Sequence, residues 1–115
     1  MASAIKTVNL KIGMPTVPDA RVRMLSELNL ARRGGVAFVK FIHGYGSSGV
    51  GGDLRIALQS SLRQMQERKE IRACIFGEDW GRGDEAAWSL VNGFPELRTD
   101  PDFDKRNKGI TLVML

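Results

Sequence analysis

One cysteine, Cys74, and one histidine, His43, stand among 115 residues. No apolar run approaches the roughly eighteen residues of a membrane span. A lone thiol cannot close an internal disulfide and has no partner thiols for a structural zinc site, so Cys74 is expected to be a buried spacer. No cluster of His, Cys and carboxylates has metal-ligand spacing, and neither a metal nor any other cofactor is expected. The first residues lack the basic-then-apolar pattern of a secretion signal, which leads us to expect a cytoplasmic protein without a membrane partner. Internal repeats and low-complexity tails are also missing. The length suits a single packed core, so residues 1–115 are expected to form one domain.

What is present is ordinary for a globular chain in bulk, 43% hydrophobic and 26% charged, but its charge is unevenly placed. Residues 1–72 hold twelve Lys/Arg against five Asp/Glu, whereas residues 73–115 hold five against eight, for a net +4 overall. A basic front part suits a polyanionic partner, because Lys and Arg neutralise phosphates and release their counterions.

Residues 5–12 alternate, with Lys6, Val8, Leu10 and Ile12 on one side, as a strand does. Two prolines follow, and then Val17, Ala20, Met24, Leu28 and Ala31 form a helical stripe that Gly34 and Gly35 end. Residues 36–42 read as a second, more central strand interrupted by Lys40. Leu54, Ala57, Leu58, Leu62 and Met65 form the stripe of a second helix, for which Asp53 is the expected N-cap. Strands over 71–76 and 109–115 complete the chain. The expected fold is α/β, an α+β two-layer sandwich: a mixed four-stranded sheet in the order β-α-β-α-β-(insert)-β, with both main helices on one face. The insert, at about 78–108, is polar and irregular apart from a short helix over 84–92, and is expected to lie as a lid over one end of the sheet.

The chemistry concentrates between the second strand and the second helix. Gly44, Tyr45, Gly46, Ser47, Ser48, Gly49, Gly51 and Gly52 make a loop whose backbone can approach a ligand closely, and a helix start favours an anion there. Arg55 adds a fork-shaped charge at the same place, so the loop is expected to bind phosphate. Lys40 and Lys11, with Asn9, His43 and Arg55, would extend it as a positive rim. The carboxylates Glu78 and Asp79 follow the third strand and either reach this rim or cap the insert's first turn. His43 would serve as acid, base or phosphate donor, or else simply hydrogen-bond the adjacent loop. Tyr45 would stack on a base or pack the loop. A triphosphate P-loop is excluded, since Gly51-Gly52-Asp53 stands where Gly-Lys-Ser/Thr is needed. The G-x-G-x-x-G spacing from Gly44 to Gly49 is a poor dinucleotide fingerprint, because the loop runs on before the helix.

Val39-Lys40-Phe41-Ile42-His43-Gly44-Tyr45-Gly46, followed by Gly52-Asp53-Leu54-Arg55, resembles the strand-HGxG-glycine-loop-LR signature of Smr (small MutS-related) domains, and residues 109–115 are similar to that family's terminal strand. The resemblance implies nucleic-acid binding through the loop, endonucleolytic nicking of DNA or RNA, and an architecture shared with the C-terminal domain of translation initiation factor three. It carries over to His43, Gly44, Gly46 and Arg55. Where many members have an LDxH motif, this chain has Val8-Asn9-Leu10-Lys11, which lacks the carboxylate proton acceptor. The expected function is therefore an Smr-like nucleic-acid-binding endonuclease using His43, Arg55 and Lys11. The alternatives are a non-catalytic module that binds nucleic acid or a ribosome, and a small-molecule phosphotransfer enzyme.

Overall fold

The parity of each strand decides which layer its side chains enter. The computed structural model describes residues 5–45 and 50–115, with four strands in one sheet: β1 (Ile5–Asn9), β2 (Phe38–Ile42), β3 (Ala73–Phe76) and β4 (Ile110–Met114). Their spatial order is β1-β2-β4-β3. β1 runs parallel to β2, with Asn9 opposite Ile42, while β4 runs antiparallel to both neighbours, with Ile110 opposite Ile42 and Thr111 opposite Phe76. The C-terminal ends of the first three strands and the start of β4 therefore meet along one edge of the sheet.

The expected α/β sandwich is present. Helix α1 (Val17–Arg33) is capped by Thr16, whose Oγ1 accepts the Asp19 amide at 3.3 Å, and it buries Ala20, Met24, Leu28 and Ala31. Helix α2 (Val50–Glu67) buries Leu54, Leu58, Leu62 and Met65. Both pack on the face formed by Val8, Leu10, Val39, Phe41 and Val113. The α2 start differs from expectation: it lies three residues ahead of Asp53, which sits in the first turn rather than at the cap. Tertiary context overrides the weak helix propensity of Gly51 and Gly52, and the Asp53 carboxylate still complements the positive end of the helix dipole. β1 is shorter than the 5–12 alternation predicts, because the Asn9 side chain accepts the Lys11 amide at 3.0 Å and turns the chain, leaving Ile12 exposed.

The insert is not a lid over one end. Trp80, Ala87, Val91, Leu97 and Phe103 pack against Phe38, Ile75, Ile110 and Leu112, covering the second face of the sheet. β2 and β4 are central and apolar on both sides, so that face had to be closed, and the aromatics of the insert close it. Helix α3 (Glu85–Gly93), with Asp84 accepting the Ala87 amide at 3.0 Å, lies between single 3-10 turns at Gly77–Asp79 and Pro95–Thr99.

Lys40 does not join the positive rim expected of it. Its parity with Phe38 and Ile42 turns it under the insert, where it is 5% exposed and its Nζ lies 2.7 Å from both Asp100 Oδ1 and Asp102 Oδ2. Trp80 Nε1 donates to the other Asp100 oxygen at 3.0 Å. Burial pulls the Lys40 ammonium down, but its hydrogen bonds to the two carboxylates and their charge outweigh that and hold it above 10.5. No helix among the described residues is long and apolar enough to cross a membrane.

Candidate functional site

The edge where the strand ends meet is stitched together by glycines. The amides of His43 and Gly44 both donate to the Gly109 carbonyl, at 2.9 and 3.1 Å, tying the end of β2 to the start of β4. Gly44 does this at φ +75°, a left-handed conformation that side-chain-bearing residues rarely adopt. These two amides are thus committed within the protein and do not face a ligand.

The His43 ring is completely buried. Nδ1 lies 2.6 Å from the Gly44 carbonyl, which can only accept, so Nδ1 carries the proton. Nε2 then accepts from the Thr111 hydroxyl at 2.9 Å, and that oxygen in turn accepts from Gln59 Nε2 at 3.2 Å. The result is a neutral imidazole joining β2, β4 and α2. Burial pulls its pKa below 6.5; the Arg55 guanidinium adds to this, and the Gly44 carbonyl and Glu78 oppose it without reversing it. Of the two roles open to His43, the structural one accounts for both ring nitrogens.

Arg55 extends from the early part of α2 to Glu78, in the 3-10 turn that follows β3, and the pair joins through Nη2 and Oε2. Arg55 Nε and Glu78 Oε1 are both buried without a hydrogen-bond partner among the described residues. Both atoms belong to one ion pair and are shielded from solvent, so any ligand would meet the exposed remainder of the two side chains. Next to them, burial pushes the Asp79 carboxyl up, and the charges of Asp84 and Glu78 add to the effect.

Among the expected site residues, the fold gathers His43, Gly44, Tyr45 and Arg55 at this edge, with Gly51 and Gly52 in the first turn of α2. Lys11 is exposed just beyond β1 at the same end of the sheet. Lys40 is on the opposite face with its charge taken up, and Gly46, Ser47, Ser48 and Gly49 lie outside the described residues. Thr111 and Gln59 were not anticipated. Their signal was a polar residue at an inward position of an apolar element. Two open cavities flank residues 105–108. One, of about 730 Å3, includes Glu78, Asp79, Asp84, Arg106 and Lys108; the other, of about 480 Å3, includes Tyr45, Lys105, Arg106 and Lys108. Among the described residues, no group of three His, Cys, Asp or Glu side chains is placed to hold a metal ion.

The fold is similar to that of a solved structure, the crystal structure of the Smr domain of Thermus thermophilus MutS2, with a TM-score of 0.59 over 96% of both chains at 23% identity. No family model matches the chain, and no curated protein matches it. The chain thus has an Smr-like fold.

Proposed function

We propose that this domain binds DNA or RNA, with a backbone phosphate held at the junction of β2, α2 and β3. The observation that carries the reading is the Arg55 guanidinium, 27% exposed and close behind the first turn of α2. A phosphate oxygen would accept from it, while the first amides of any α-helix, which lack partners within the helix, would take further oxygens. Lys11 and the basic front part of the chain add the long-range attraction that draws a polyanion in. Asn9 stands where the resemblance places a catalytic carboxylate, which favours binding over hydrolysis. Filter binding with duplex DNA, single-stranded DNA and structured RNA across a salt series tests this. Affinity should fall steeply with salt, and Arg55→Ala should weaken it about tenfold. Salt-independent binding, or none, refutes the proposal.

One observation favours a cleaving enzyme as the second reading: the Glu78 carboxylate is 27% exposed, pairs with Arg55, and its charge acts on His43. In that reading a water attacks phosphorus and gives its proton to Glu78, the bond from phosphorus to the leaving sugar oxygen breaks, and that oxygen takes a proton from solvent, while Arg55 and Lys11 offset the charge that develops on the phosphorane. Product formation lost in Glu78→Gln with binding retained supports Glu78, product formation unchanged in Glu78→Gln refutes it, and the absence of product with wild-type protein leaves binding alone.

A further inference from the structure

The turn leading into β4 carries charge that the phosphate site does not use. Lys105, Arg106 and Lys108 are all exposed and, among the described residues, none forms an ion pair. With Tyr45 they line the cavity of about 480 Å3, the size of a small-molecule site. Asp102, the acidic residue in its wall, is already held by Lys40 Nζ at 2.7 Å and by Asn107 Nδ2 at 3.0 Å. Asp104 nearby is engaged by the Arg82 amide at 2.8 Å and by Arg82 Nε at 2.9 Å. The wall is therefore positive where a ligand would meet it.

The turn is also rigidly held. Asn107 is fixed by Asp102 on one side and accepts the Gly109 amide at 2.9 Å on the other, while Asp104 and Arg106 adopt φ of 67° and 54°. Non-glycine residues keep left-handed conformations only where their surroundings over-determine them. Tyr45 sits across from this turn, 57% exposed, with its ring against Gly109: a Cβ built there would lie 3.4 Å from Tyr45 Cδ1. An aromatic ring half open to solvent, beside three unpaired cations, offers a stacking surface for a base that is not itself stacked in a duplex. On the far side of Arg106 and Lys108 the larger cavity also has in its wall Asp79 and Asp84, which form no ion pair among the described residues, so the Tyr45 side is the more favourable path for a phosphate backbone.

We propose that this groove takes an unpaired nucleotide, its base stacked on Tyr45 and its flanking phosphates on Lys105, Arg106 and Lys108, so that the ligand is a single-stranded segment of nucleic acid. The proposal rests on the nucleic-acid reading above and adds the form of the ligand.

Fluorescence anisotropy with a labelled oligothymidylate, its abasic counterpart and a blunt hairpin duplex tests it. Wild-type protein should bind the oligothymidylate more tightly than the duplex. Tyr45→Ala should weaken that binding about tenfold and Tyr45→Phe should preserve it. The abasic strand should bind wild-type protein as weakly as oligothymidylate binds Tyr45→Ala, with no further loss in the variant. Combining Lys105→Gln, Arg106→Asn and Lys108→Gln should lower the log-log salt slope by about 2. These side chains are exposed, so thermal melts of all variants should match wild type. If Tyr45→Ala and the triple variant bind the oligothymidylate like wild type while Arg55→Ala does not, the groove is refuted and the phosphate site stands. If wild-type protein binds none of the three ligands, both proposals fall.

Discussion

Replacing Lys40 with methionine removes the cation from between Asp100 and Asp102 while filling much the same volume. Both carboxylates then remain under the insert without their shared partner, and breaking a buried ion pair from one side costs about 3 to 5 kcal/mol. Asp102 keeps Asn107 and Asp100 keeps Trp80 Nε1, which places the expected loss at the lower end, about 3 kcal/mol. For a chain of this length that lowers Tm by about 10 °C. Urea unfolding followed by tryptophan fluorescence is the natural assay, since Trp80 is buried and bonded to the network itself. Adding Asp100→Asn and Asp102→Asn to Lys40→Met removes the orphaned charges and should recover at least half of the loss. The pH dependence has a definite sign. For Asp102, burial pushes the carboxyl up, but the Asn107 and Lys40 hydrogen bonds and the Lys40 charge hold it below 3.8, so its contribution is present above that pH and lost as pH falls through the lower folded value. Lys40, held above 10.5, contributes fully below that pH and loses its contribution as pH rises through the higher folded value. If Lys40→Met unfolds within about 0.5 kcal/mol of wild type, as a surface substitution would, the ion pair is not what seats the insert.

A Cβ on Gly77 would lie 1.7 Å from the Asn107 carbonyl oxygen and 2.7 Å from that of Ile110, both backbone atoms, so Gly77→Ala should destabilise by about 3 kcal/mol. Gly83→Ala, which meets no atom within 4 Å, should stay within about 0.5 kcal/mol of wild type in the same melt. Because the folded pKa of His43 is below 6.5, the unfolded chain binds the proton more readily, and stability should fall as pH drops through that value. His43→Gln should flatten the difference between urea midpoints taken above and below it, and an equal slope in both proteins would refute a buried neutral imidazole.

The α1 stripe of Ala20, Met24, Leu28 and Ala31 was legible because its period is local, and the same holds for β2 and β4, whose apolar runs mark them as central. The HGxG stretch was legible as the passage from β2 to α2 for the same reason: strand, glycine and helix start are consecutive. Lys40 was misplaced because its partners lie sixty residues away, and only its parity with Phe38 and Ile42 hinted at the covered face. The insert looked like a loop because Trp80, Leu97 and Phe103 are scattered through polar sequence without a period. Their number, however, was more than an exposed lid would carry. The cations of residues 105–108 fell in the acidic part of the chain and were averaged away by its net charge.

β4 is the latest strand in the chain and yet lies between β2 and β3, and β3 pairs with no other strand among the described residues. During synthesis the two helices and the first parallel pair can associate early, while half of the sheet waits for residues that emerge some seventy positions after β2. Contacts closed over such a distance are slow to form. Because the carbonyl that fastens His43 and Gly44 belongs to Gly109, the end of β2 is secured only at that last step, so a nascent or truncated chain would leave both amides without their acceptor.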